Sequence, residues 1–385
     1  MVAGLVVAGA MVVAMQLPLL HQPSTSSVSL AALSVPAPRH VAWPATASAA
    51  LLIPALGVQR TSNDRVVPIA SLTKMMTAYV VLAALPLSVG ATGPCLTVTR
   101  DDVLVYDQMQ ATNQSSAAVA AGETLCEATL LDGLLVHSAS NYALLLARLT
   151  WGDEATFVAR MNTDAAALGL THTRYVDVSG YLPGSVSTAL EQARLAAIIM
   201  RSPVVRAIVD QSSVTLPVAG TLGSYTPYVG IDHVVGVKSG RTDAAGGCDV
   251  MAMTFVVAGQ TQLAYAVVLG ARGGDLLGPA GDEALALAQS VLNSEHTLRV
   301  DAGAVVGTLG WGSRYSDVVT ENPLTLQWFT ALHGANVSVH IYPQTSLVRP
   351  GTVVGWLEVT AGSLHRVALT VAHAISPETL LERLR

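Results

Sequence analysis

The segment Pro68-Ile69-Ala70-Ser71-Leu72-Thr73-Lys74-Met75-Met76-Thr77-Ala78 indicates both the chemistry and the architecture of this chain. Apolar residues continue to Leu85 and occupy almost every face of a helical wheel, which predicts a largely buried helix that ends before Pro86. Ser71 and Lys74 are three residues apart, so their side chains lie on one face of this helix and can meet.

The Ser71–Lys74 pair is a candidate nucleophile with its general base. Burial among apolar groups disfavours the charged form of a lysine, so Lys74 can become neutral and accept a proton. The dipole at the start of the helix favours negative charge that develops on the Ser71 oxygen. Taken alone, Ser-x-x-Lys also occurs in ordinary helices, so a structural role for the pair stays open at this point.

The second lysine lies in the segment Val234-Val235-Gly236-Val237-Lys238-Ser239-Gly240-Arg241-Thr242, which predicts a strand carrying Lys-Ser-Gly. Gly240 would let a substrate backbone approach closely. Lys238, Ser239 and Thr242 would face an anionic group. Eighteen of the 20 basic residues are arginine, yet both lysines fall in these two segments. Lysine, unlike arginine, can lose its proton, so this placement favours catalysis over a surface lysine at a hairpin.

Composition and missing motifs exclude several classes of protein. The 385 residues are 12% charged and 51% hydrophobic, with a formal charge of −6, which argues against a nucleic-acid-binding protein. Three cysteines and ten scattered histidines give no disulfide scaffold and no convincing metal spacing. The sequence lacks the G-x-S-x-G, Walker A, G-x-G-x-x-G and H-E-x-x-H motifs. We therefore predict no metal and no cofactor.

The pattern along the chain predicts a mixed α and β region followed by a β-rich one. Helices are expected around 127–150 with a polar break at 137–141, at 155–168, and at 188–200, where Ser187 or Thr188 with Glu191 would form a capping box. Strands are expected at 234–237, 250–257 and 262–269. Beyond residue 298, related segments at 303–309 and 351–357 predict two hairpins of a small β-sandwich.

The N-terminal region predicts export. Residues 1–20 are almost continuously apolar and fit an uncleaved membrane anchor, a cleaved signal peptide, or a start assigned too far downstream. Residues 21–44 are rich in Ser, Pro and Ala, which predicts a tether. In an exported protein Cys95 and Cys126 can form a disulfide, with two unrelated thiols as the alternative. The expected domains are then residues 45–295, which would carry the chemistry, and a β-rich part at 296–385.

The order Ser-x-x-Lys, a later Ser-x-Asn-like loop and Lys-Ser-Gly resembles the penicillin-binding proteins and serine β-lactamases. The flanking residues are most similar to the D-alanyl-D-alanine carboxypeptidase branch. The similar segments are residues 68–78, Ala121-Gly122-Glu123, Leu134-Leu135-Val136-His137-Ser138, Asp177-Val178-Ser179-Gly180 and Gly236 to Cys248. The resemblance covers roughly residues 45–290.

This resemblance implies an α/β (α+β) fold of the β-lactamase/transpeptidase type, an antiparallel sheet covered by helices, with a small all-β domain after it. The implied activity is a serine-type D-Ala-D-Ala carboxypeptidase that trims the terminal D-Ala from peptidoglycan stem pentapeptides and is inhibited by β-lactam antibiotics. The implied partners are the stem peptide, β-lactams and, through residues 1–20, the membrane, with no nucleic acid.

The resemblance also assigns roles to individual residues. Ser71 would be the acylated nucleophile, Lys74 its base, and Ser138 a hydroxyl that helps to shuttle the proton. The terminal carboxylate would be bound by Lys238, Ser239 and Thr242. The oxyanion hole would use the backbone N–H of Ser71 and that of a residue just after Gly240.

Two positions depart from the family pattern. The Ser-x-Asn loop reads Ser138-Ala139-Ser140, so Ser140 replaces the amide that would contact substrate, and turnover is expected to be weak. Reading Asn141 as the motif residue would place Ala139 at the serine position, so we keep Ser138. Ser239 replaces threonine and preserves the hydroxyl. The alternatives to a carboxypeptidase are a β-lactamase-type hydrolase and a weakly active wall-binding homologue.

Overall fold

The structure is a computed structural model that describes residues 24–29, 33 and 35–378. The chain divides into two compact units, one of residues 41–292 and one that combines residues up to His40 with those from Asn293 onward. In the ranges that are described, no helix has the length and apolarity needed to cross a bilayer. The predicted anchor or signal segment at residues 1–20 lies outside the described residues.

The helices and strands of the described residues are named here in chain order. The helices are α1 (Thr73–Ala84), α2 (Arg100–Ala111), α3 (Glu127–Leu135), α4 (Ser140–Trp151), α5 (Glu154–Ala167), α6 (Ala189–Ile199), α7 (Pro203–Val209) and α8 (Leu277–Leu292). The strands are β1 (Thr25–Val28), β2 (Ser48–Ile53), β3 (Val58–Thr61), β4 (Val67–Pro68), β5 (Cys95–Thr97), β6 (Thr124–Cys126), β7 (Val186–Ser187), β8 (Ser213–Leu216), β9 (Gly220–Gly223), β10 (Val234–Thr242), β11 (Gly246–Val257), β12 (Gln260–Ala271), β13 (Glu295–Val300), β14 (Val305–Trp311), β15 (Arg314–Thr320), β16 (Leu324–Phe329), β17 (Ala335–Ile341), β18 (Gly355–Ala361) and β19 (Ser363–Val371).

A five-stranded antiparallel sheet, in the order β10-β11-β12-β2-β3, forms the centre of the 41–292 unit. The three strands predicted between residues 234 and 269 are confirmed as β10, β11 and β12. β10 covers the whole predicted Lys-Ser-Gly segment, and β11 and β12 are each longer than predicted. The additional residues include Gly246 and Gly247. Glycine has a low preference for strands, but both glycines pair with β10 here. Gly246 has a φ of +71°, a left-handed conformation that glycine adopts readily where the chain turns into β11.

Helices cover this sheet. Neighbouring residues on a strand point to opposite faces of the sheet. On one face of β11, Cys248 lies beside the Pro68 carbonyl. On the other face, a side chain at Gly247 would collide with the backbone of Leu276 and with Ala280 of α8. Helix α8 packs against β11 and β12, and α6 packs against β2 and β12. The sheet is therefore buried, as the continuous apolar character of β11 and β12 requires.

Helix α1 is buried on nearly every side, as predicted. Thr73 to Ala78, with Val80 and Val81, are inaccessible to solvent, and α4, α3, α5 and α6 surround the helix. The predicted polar break is confirmed, since α3 ends at Leu135 and α4 begins at Ser140. The break brings a short loop next to the start of α1.

The predicted capping box at α6 is only half formed. The Thr188 hydroxyl accepts a hydrogen bond from the Glu191 backbone N–H at 3.2 Å, so Thr188 is the N-cap. The Glu191 carboxylate does not return to Thr188, because it accepts hydrogen bonds from the His172 backbone N–H and the Thr173 hydroxyl instead. A tertiary contact thus replaces the local one.

The disulfide between Cys95 and Cys126 is present and joins β5 to β6. The next residue, Glu127, begins α3 with its side chain buried and both carboxylate oxygens without a hydrogen-bond partner in the described chain. Its Oε2 lies so close to Gly93 that a side chain there would collide with it. Burial raises the pKa of Glu127 to about 7.

We expect Glu127→Gln to stabilise the protein above neutral pH. A raised pKa means that the folded state holds the proton more tightly than the unfolded state, so the carboxylic acid contributes stability at low pH and loses it as pH rises from about 5 to 7. Free energies of unfolding from urea titrations at pH 5 and pH 8 measure the effect. The wild type should lose about 1–2 kcal/mol more than the variant between these pH values. Equal losses would contradict the burial of this carboxyl group.

In its described residues, the second unit is all-β. Its main sheet has the order β1-β14-β15-β19-β18-β17, and β13 pairs with β16. The two predicted hairpins exist as β14–β15 and β18–β19. They are joined through β15 and β19 in one continuous sheet. The sheet curls, because its end strands β1 and β17 contact each other and Ile341 of β17 lies against Gly307 of β14. Trp311 and Trp328 are part of its core.

The tether predicted at residues 21–44 is wrong for part of its length. Thr25 to Val28 form β1, which pairs antiparallel with Gly307 to Gly310 of β14 at the edge of the sheet. An edge strand needs only extended backbone and hydrogen bonds on one side, so a Ser-rich segment can fill the position without apolar side chains.

Candidate active site

The predicted nucleophile and base are in hydrogen-bond contact. Ser71 lies in a 3-10 turn, Ala70–Leu72, that leads directly into α1. The Lys74 Nζ is 2.8 Å from the Ser71 Oγ and donates to the Ser179 carbonyl oxygen at 2.9 Å. The Lys74 side chain is completely buried. The i, i+3 spacing thus produces the predicted pair.

The surroundings of Lys74 favour its neutral form. Burial lowers the pKa of Lys74 well below its usual value, and the positive charge of Lys238 lowers it further. The carboxylate of Asp177 acts in the opposite direction but is the smaller influence. A neutral amine in contact with a serine hydroxyl can accept its proton, which is what nucleophilic catalysis requires.

A loop at residues 177–185 holds the carbonyl that binds Lys74. The Asp177 carboxylate accepts hydrogen bonds from the hydroxyls of Ser179 and Ser185, at 2.9 and 2.6 Å, and from the Tyr181 backbone N–H at 2.8 Å. Gly180 has a φ of +81°, and a side chain there would lie 1.8 Å from the Ala70 carbonyl oxygen. The Asp-x-x-Gly motif therefore places the loop against the nucleophile turn, a function that sequence reasoning missed.

Strand β10 passes directly beside the nucleophile. A Cβ atom built on Gly240 would lie 2.5 Å from the Ser71 backbone nitrogen. Because position 240 has no side chain, the Ser71 N–H and the backbone that follows Gly240 border the same space. This is the arrangement that an oxyanion hole of two N–H donors needs.

Lys238 and Ser239 are both buried on β10. The Lys238 Nζ donates to the Ser239 carbonyl oxygen at 2.7 Å, and the Ser239 hydroxyl donates to the Tyr225 carbonyl oxygen at 2.7 Å. Burial lowers the pKa of Lys238 to about 7, against the opposing influence of Asp249 on the neighbouring strand. Asp249 is itself fully buried, and this burial raises its pKa.

A cavity of about 390 Å³ contains the nucleophile. Ser71, Ser138, Ser239 and Gly240 all line it, so the structure brings together residues from the 3-10 turn before α1, the loop before α4, and β10. The Ser138 Oγ is buried and has no hydrogen-bond partner within the described chain. Its hydroxyl is therefore free to take part in proton transfer beside Ser71.

Ala70 and Ser138 have left-handed backbone at this site, as does Asn113 on the cavity wall, with a φ of +53°. Ala70, just before the nucleophile, has a φ of +47°, and Ser138 has a φ of +61°. Such conformations are strained for residues with a Cβ and occur often at functional sites, where surrounding packing enforces them. Here they aim two serine side chains at one cavity.

Three predicted substrate-binding residues, Ser140, Lys238 and Thr242, are not among the described residues that line the cavity. The Thr242 hydroxyl accepts a hydrogen bond from the Ala245 backbone N–H at 3.0 Å, because β10 ends there and turns into β11. Ser140 is buried as the first residue of α4, and its backbone N–H donates to the Ser115 carbonyl oxygen at 2.8 Å. The substrate-binding roles of Ser140, Lys238 and Thr242 therefore stay predictions.

The position of Asn141 supports Ser138 as the loop serine. The Asn141 amide binds both backbone groups of Ala117, at 3.0 and 2.8 Å, and so holds the 115–117 loop against α4. It is not among the residues that line the cavity, whereas Ser138 is.

The family is shown by comparison with known proteins. A family profile described as D-alanyl-D-alanine carboxypeptidase matches residues 57–273, which include Ser71, the 138–141 loop and all of β10. The chain belongs to this family. The resemblance seen in the sequence is therefore confirmed.

Members of the D-alanyl-D-alanine carboxypeptidase family and related structures align with parts of the chain. A D-alanyl-D-alanine endopeptidase of Pseudomonas aeruginosa is 33% identical over 206 residues, 50% of this chain and 61% of the relative. The carboxypeptidase DacD of Salmonella typhimurium is 32% identical over 211 residues, 53% of this chain and 52% of the relative. The aligned part thus spans less than two thirds of either relative. Penicillin-binding protein 5 of Haemophilus influenzae has the same fold, with a TM-score of 0.58, 20% identity, and coverage of 90% of this chain and all of that one.

Several residues that line the cavity were not predicted as site residues. His137 stacks on Tyr225 with ring centroids 4.7 Å apart, and its Nδ1 lies 3.0 Å from the Gly223 carbonyl oxygen. Tyr106 and Arg241 also line the cavity. The sequence offered one signal for these residues: His137 is next to Ser138, and Arg241 is next to Gly240. A neighbouring position in sequence does not define which way a side chain points.

Proposed function

We propose that this chain is a serine-type D-Ala-D-Ala carboxypeptidase that acts on peptidoglycan stem peptides. The observation that carries the proposal is the contact of 2.8 Å between Ser71 Oγ and a fully buried Lys74 Nζ, beside a strand that has glycine at its closest point. The membership in the D-alanyl-D-alanine carboxypeptidase family and the printed activities of its relatives supply the substrate class.

The geometry accounts for each step of acylation. Neutral Lys74 removes the proton of Ser71, whose oxygen attacks the carbonyl between the two D-Ala residues. Negative charge on the carbonyl oxygen is held by backbone N–H donors of Ser71 and of the strand after Gly240. The proton passes from Lys74 through the Ser138 hydroxyl to the leaving nitrogen. The C–N bond breaks, D-Ala leaves, and water then hydrolyses the ester on Ser71 and regenerates both groups.

Lys238 and Ser239 would bind the terminal carboxylate of the substrate. A hydroxyl donates one hydrogen bond, so Ser239 must turn from the Tyr225 carbonyl oxygen to the carboxylate when substrate arrives. A carboxylate next to Lys238 would also favour its charged form and raise its pKa from about 7. Substrate binding would therefore take up a proton near neutral pH.

The proposal extends to location. Peptidoglycan lies outside the cytoplasmic membrane, and a disulfide between Cys95 and Cys126 is typical of proteins in an oxidising compartment. We place the protein outside the membrane, anchored by residues 1–20 or released if that segment is cleaved.

Purified protein should release D-Ala from a synthetic stem pentapeptide, and penicillin should acylate it on Ser71. A β-lactam presents a strained amide to the same nucleophile, so intact-protein mass spectrometry followed by peptide mapping locates the adduct. Ser71→Ala is the matched control and should give neither D-Ala nor adduct. No adduct on Ser71 at high drug concentration, together with no D-Ala release, would overturn the proposed function.

The relatives' names divide between carboxypeptidase and endopeptidase, which differ in the amine that leaves. A cross-linked peptide dimer assayed beside the pentapeptide separates the two activities. A β-lactamase would instead show rapid loss of the adduct, so the rate at which the acylated protein recovers distinguishes that alternative.

A further inference from the structure

Arg241 is a cationic side chain in the active-site cavity that the proposed reaction does not use. It follows Gly240 on β10, is exposed, and lines the same cavity as Ser71. In the described chain its guanidinium makes one hydrogen bond, from Nη1 to the Asp275 carbonyl oxygen at 3.4 Å, and no ion pair. A guanidinium has five N–H donors, so most of them remain available to a ligand.

The rest of the cavity wall does not neutralise this charge. Among the described residues that line it there is no Asp or Glu; the polar ones are hydroxyl, amide, imidazole and phenol groups. Gln110 and Gln114 each use one amide N–H, on Ser116 and Thr112, and the charged guanidinium is a stronger donor to an anion than these neutral amides. The cavity is therefore built to receive an anion at this position.

The order of residues along β10 determines which part of a substrate meets Arg241. Ser239 and Arg241 are two residues apart, so they lie on the same side of the strand, about 7 Å from each other. Between them, Gly240 lies against Ser71. With the terminal carboxylate at Ser239 and the scissile carbonyl at Ser71, the acyl side of the peptide continues towards Arg241.

The outer edge of β10 leaves room for such a peptide. Among the described strands, β10 is the first of its sheet and pairs with β11 alone, so a substrate can lie along its other edge as an added strand. In that arrangement the side chains of the peptide next to the scissile bond reach the cavity wall beside Arg241.

We propose that Arg241 is a specificity residue that binds a side-chain carboxylate on the acyl side of the scissile bond. The favoured substrates are then peptides in which the residue before D-Ala-D-Ala ends in a free carboxylate. This inference rests on the proposed function, whose terminal-carboxylate site and nucleophile fix the direction of the peptide.

Two matched peptides test the inference. In both, the residue before D-Ala-D-Ala is 2-aminopimelate, with its terminal carboxylate either free or converted to the carboxamide. The wild type should have a kcat/KM about tenfold higher for the free carboxylate. Arg241→Gln should reduce this ratio to about one, Arg241→Lys should keep part of it, and 0.5 M salt should reduce it in the wild type. A wild-type ratio near one, or an unchanged ratio in Arg241→Gln, would overturn the inference.

Controls separate this inference from the proposed function. Arg201→Gln removes an exposed arginine of the same unit that does not line the cavity, and should leave the ratio unchanged. If no peptide releases D-Ala, the proposed function fails, and the dissociation constants of the same two peptides for Ser71→Ala protein decide the inference. The inference is supported if Ser71→Ala protein binds the carboxylate peptide more tightly than the carboxamide peptide and the double variant with Arg241→Gln does not. Equal dissociation constants for the two peptides overturn the inference.

Discussion

Lys74→Arg should reduce the rate at which a β-lactam acylates Ser71 by about a thousandfold or more. Arginine keeps a positive charge but holds its proton at neutral pH, so it cannot accept the proton of Ser71. In the wild type the buried amine has a pKa well below its usual value and lies 2.8 Å from the Ser71 Oγ. Stopped-flow acylation rates and D-Ala release both measure the effect.

A second substitution separates lost proton transfer from lost packing. Lys74→Met is about as long as the lysine stem, has no ionisable group, and removes a polar group from a fully buried position. It should be as inactive as Lys74→Arg while its thermal unfolding midpoint stays at or above that of the arginine variant. Acylation of a folded Lys74→Arg protein within about tenfold of the wild-type rate would refute Lys74 as the base.

Gly240→Ala should lower the rate of acylation by about a hundredfold or more. The new Cβ would lie 2.5 Å from the Ser71 nitrogen and 3.0 Å from its Cα, and backbone cannot give way as a flexible side chain can. β10 must therefore move away from Ser71, which separates the N–H donors around the carbonyl oxygen. Acylation kinetics, with circular dichroism to show that the variant is folded, measure the result.

Gly223→Ala is the matched control for this substitution. Gly223 lies in the same unit, and a Cβ there would meet nothing within 4 Å. It should leave acylation near the wild-type rate. If Gly240→Ala protein is acylated as fast as Gly223→Ala protein, then the close approach of β10 to Ser71 is not needed for the reaction.

Contacts close in sequence were predictable, and contacts that depend on distant packing were not. Helix geometry alone brings Ser71 to Lys74, and the composition of the Lys238 segment predicts its strand. The Ser179 carbonyl that binds Lys74 comes from a loop 105 residues further along the chain, so no local pattern defines it. Buried charge on Lys238 likewise affects Lys74 only because the fold brings the two segments together.

The hydroxyl groups of β10 show a second limit of prediction from sequence. Ser239 and Thr242 looked equivalent in sequence, yet Thr242 binds the backbone of its own turn and Ser239 binds the carbonyl of Tyr225. Serine and threonine hydroxyls readily pair with nearby backbone groups, so which of them stays available to a ligand depends on how the strand ends. Only the folded structure settles that competition.

The pairing of β1 with β14 has a consequence for how the chain is made. Thr25 pairs with Gly310, so the first of these strands leaves the ribosome long before its partner is synthesised. Residues 41–292, with their own sheet, disulfide and Ser71–Lys74 pair, emerge in between, and domains generally fold as units during synthesis. The 41–292 unit is thus an insertion inside the β unit, and it must reach its native state while the strand that precedes it has no partner.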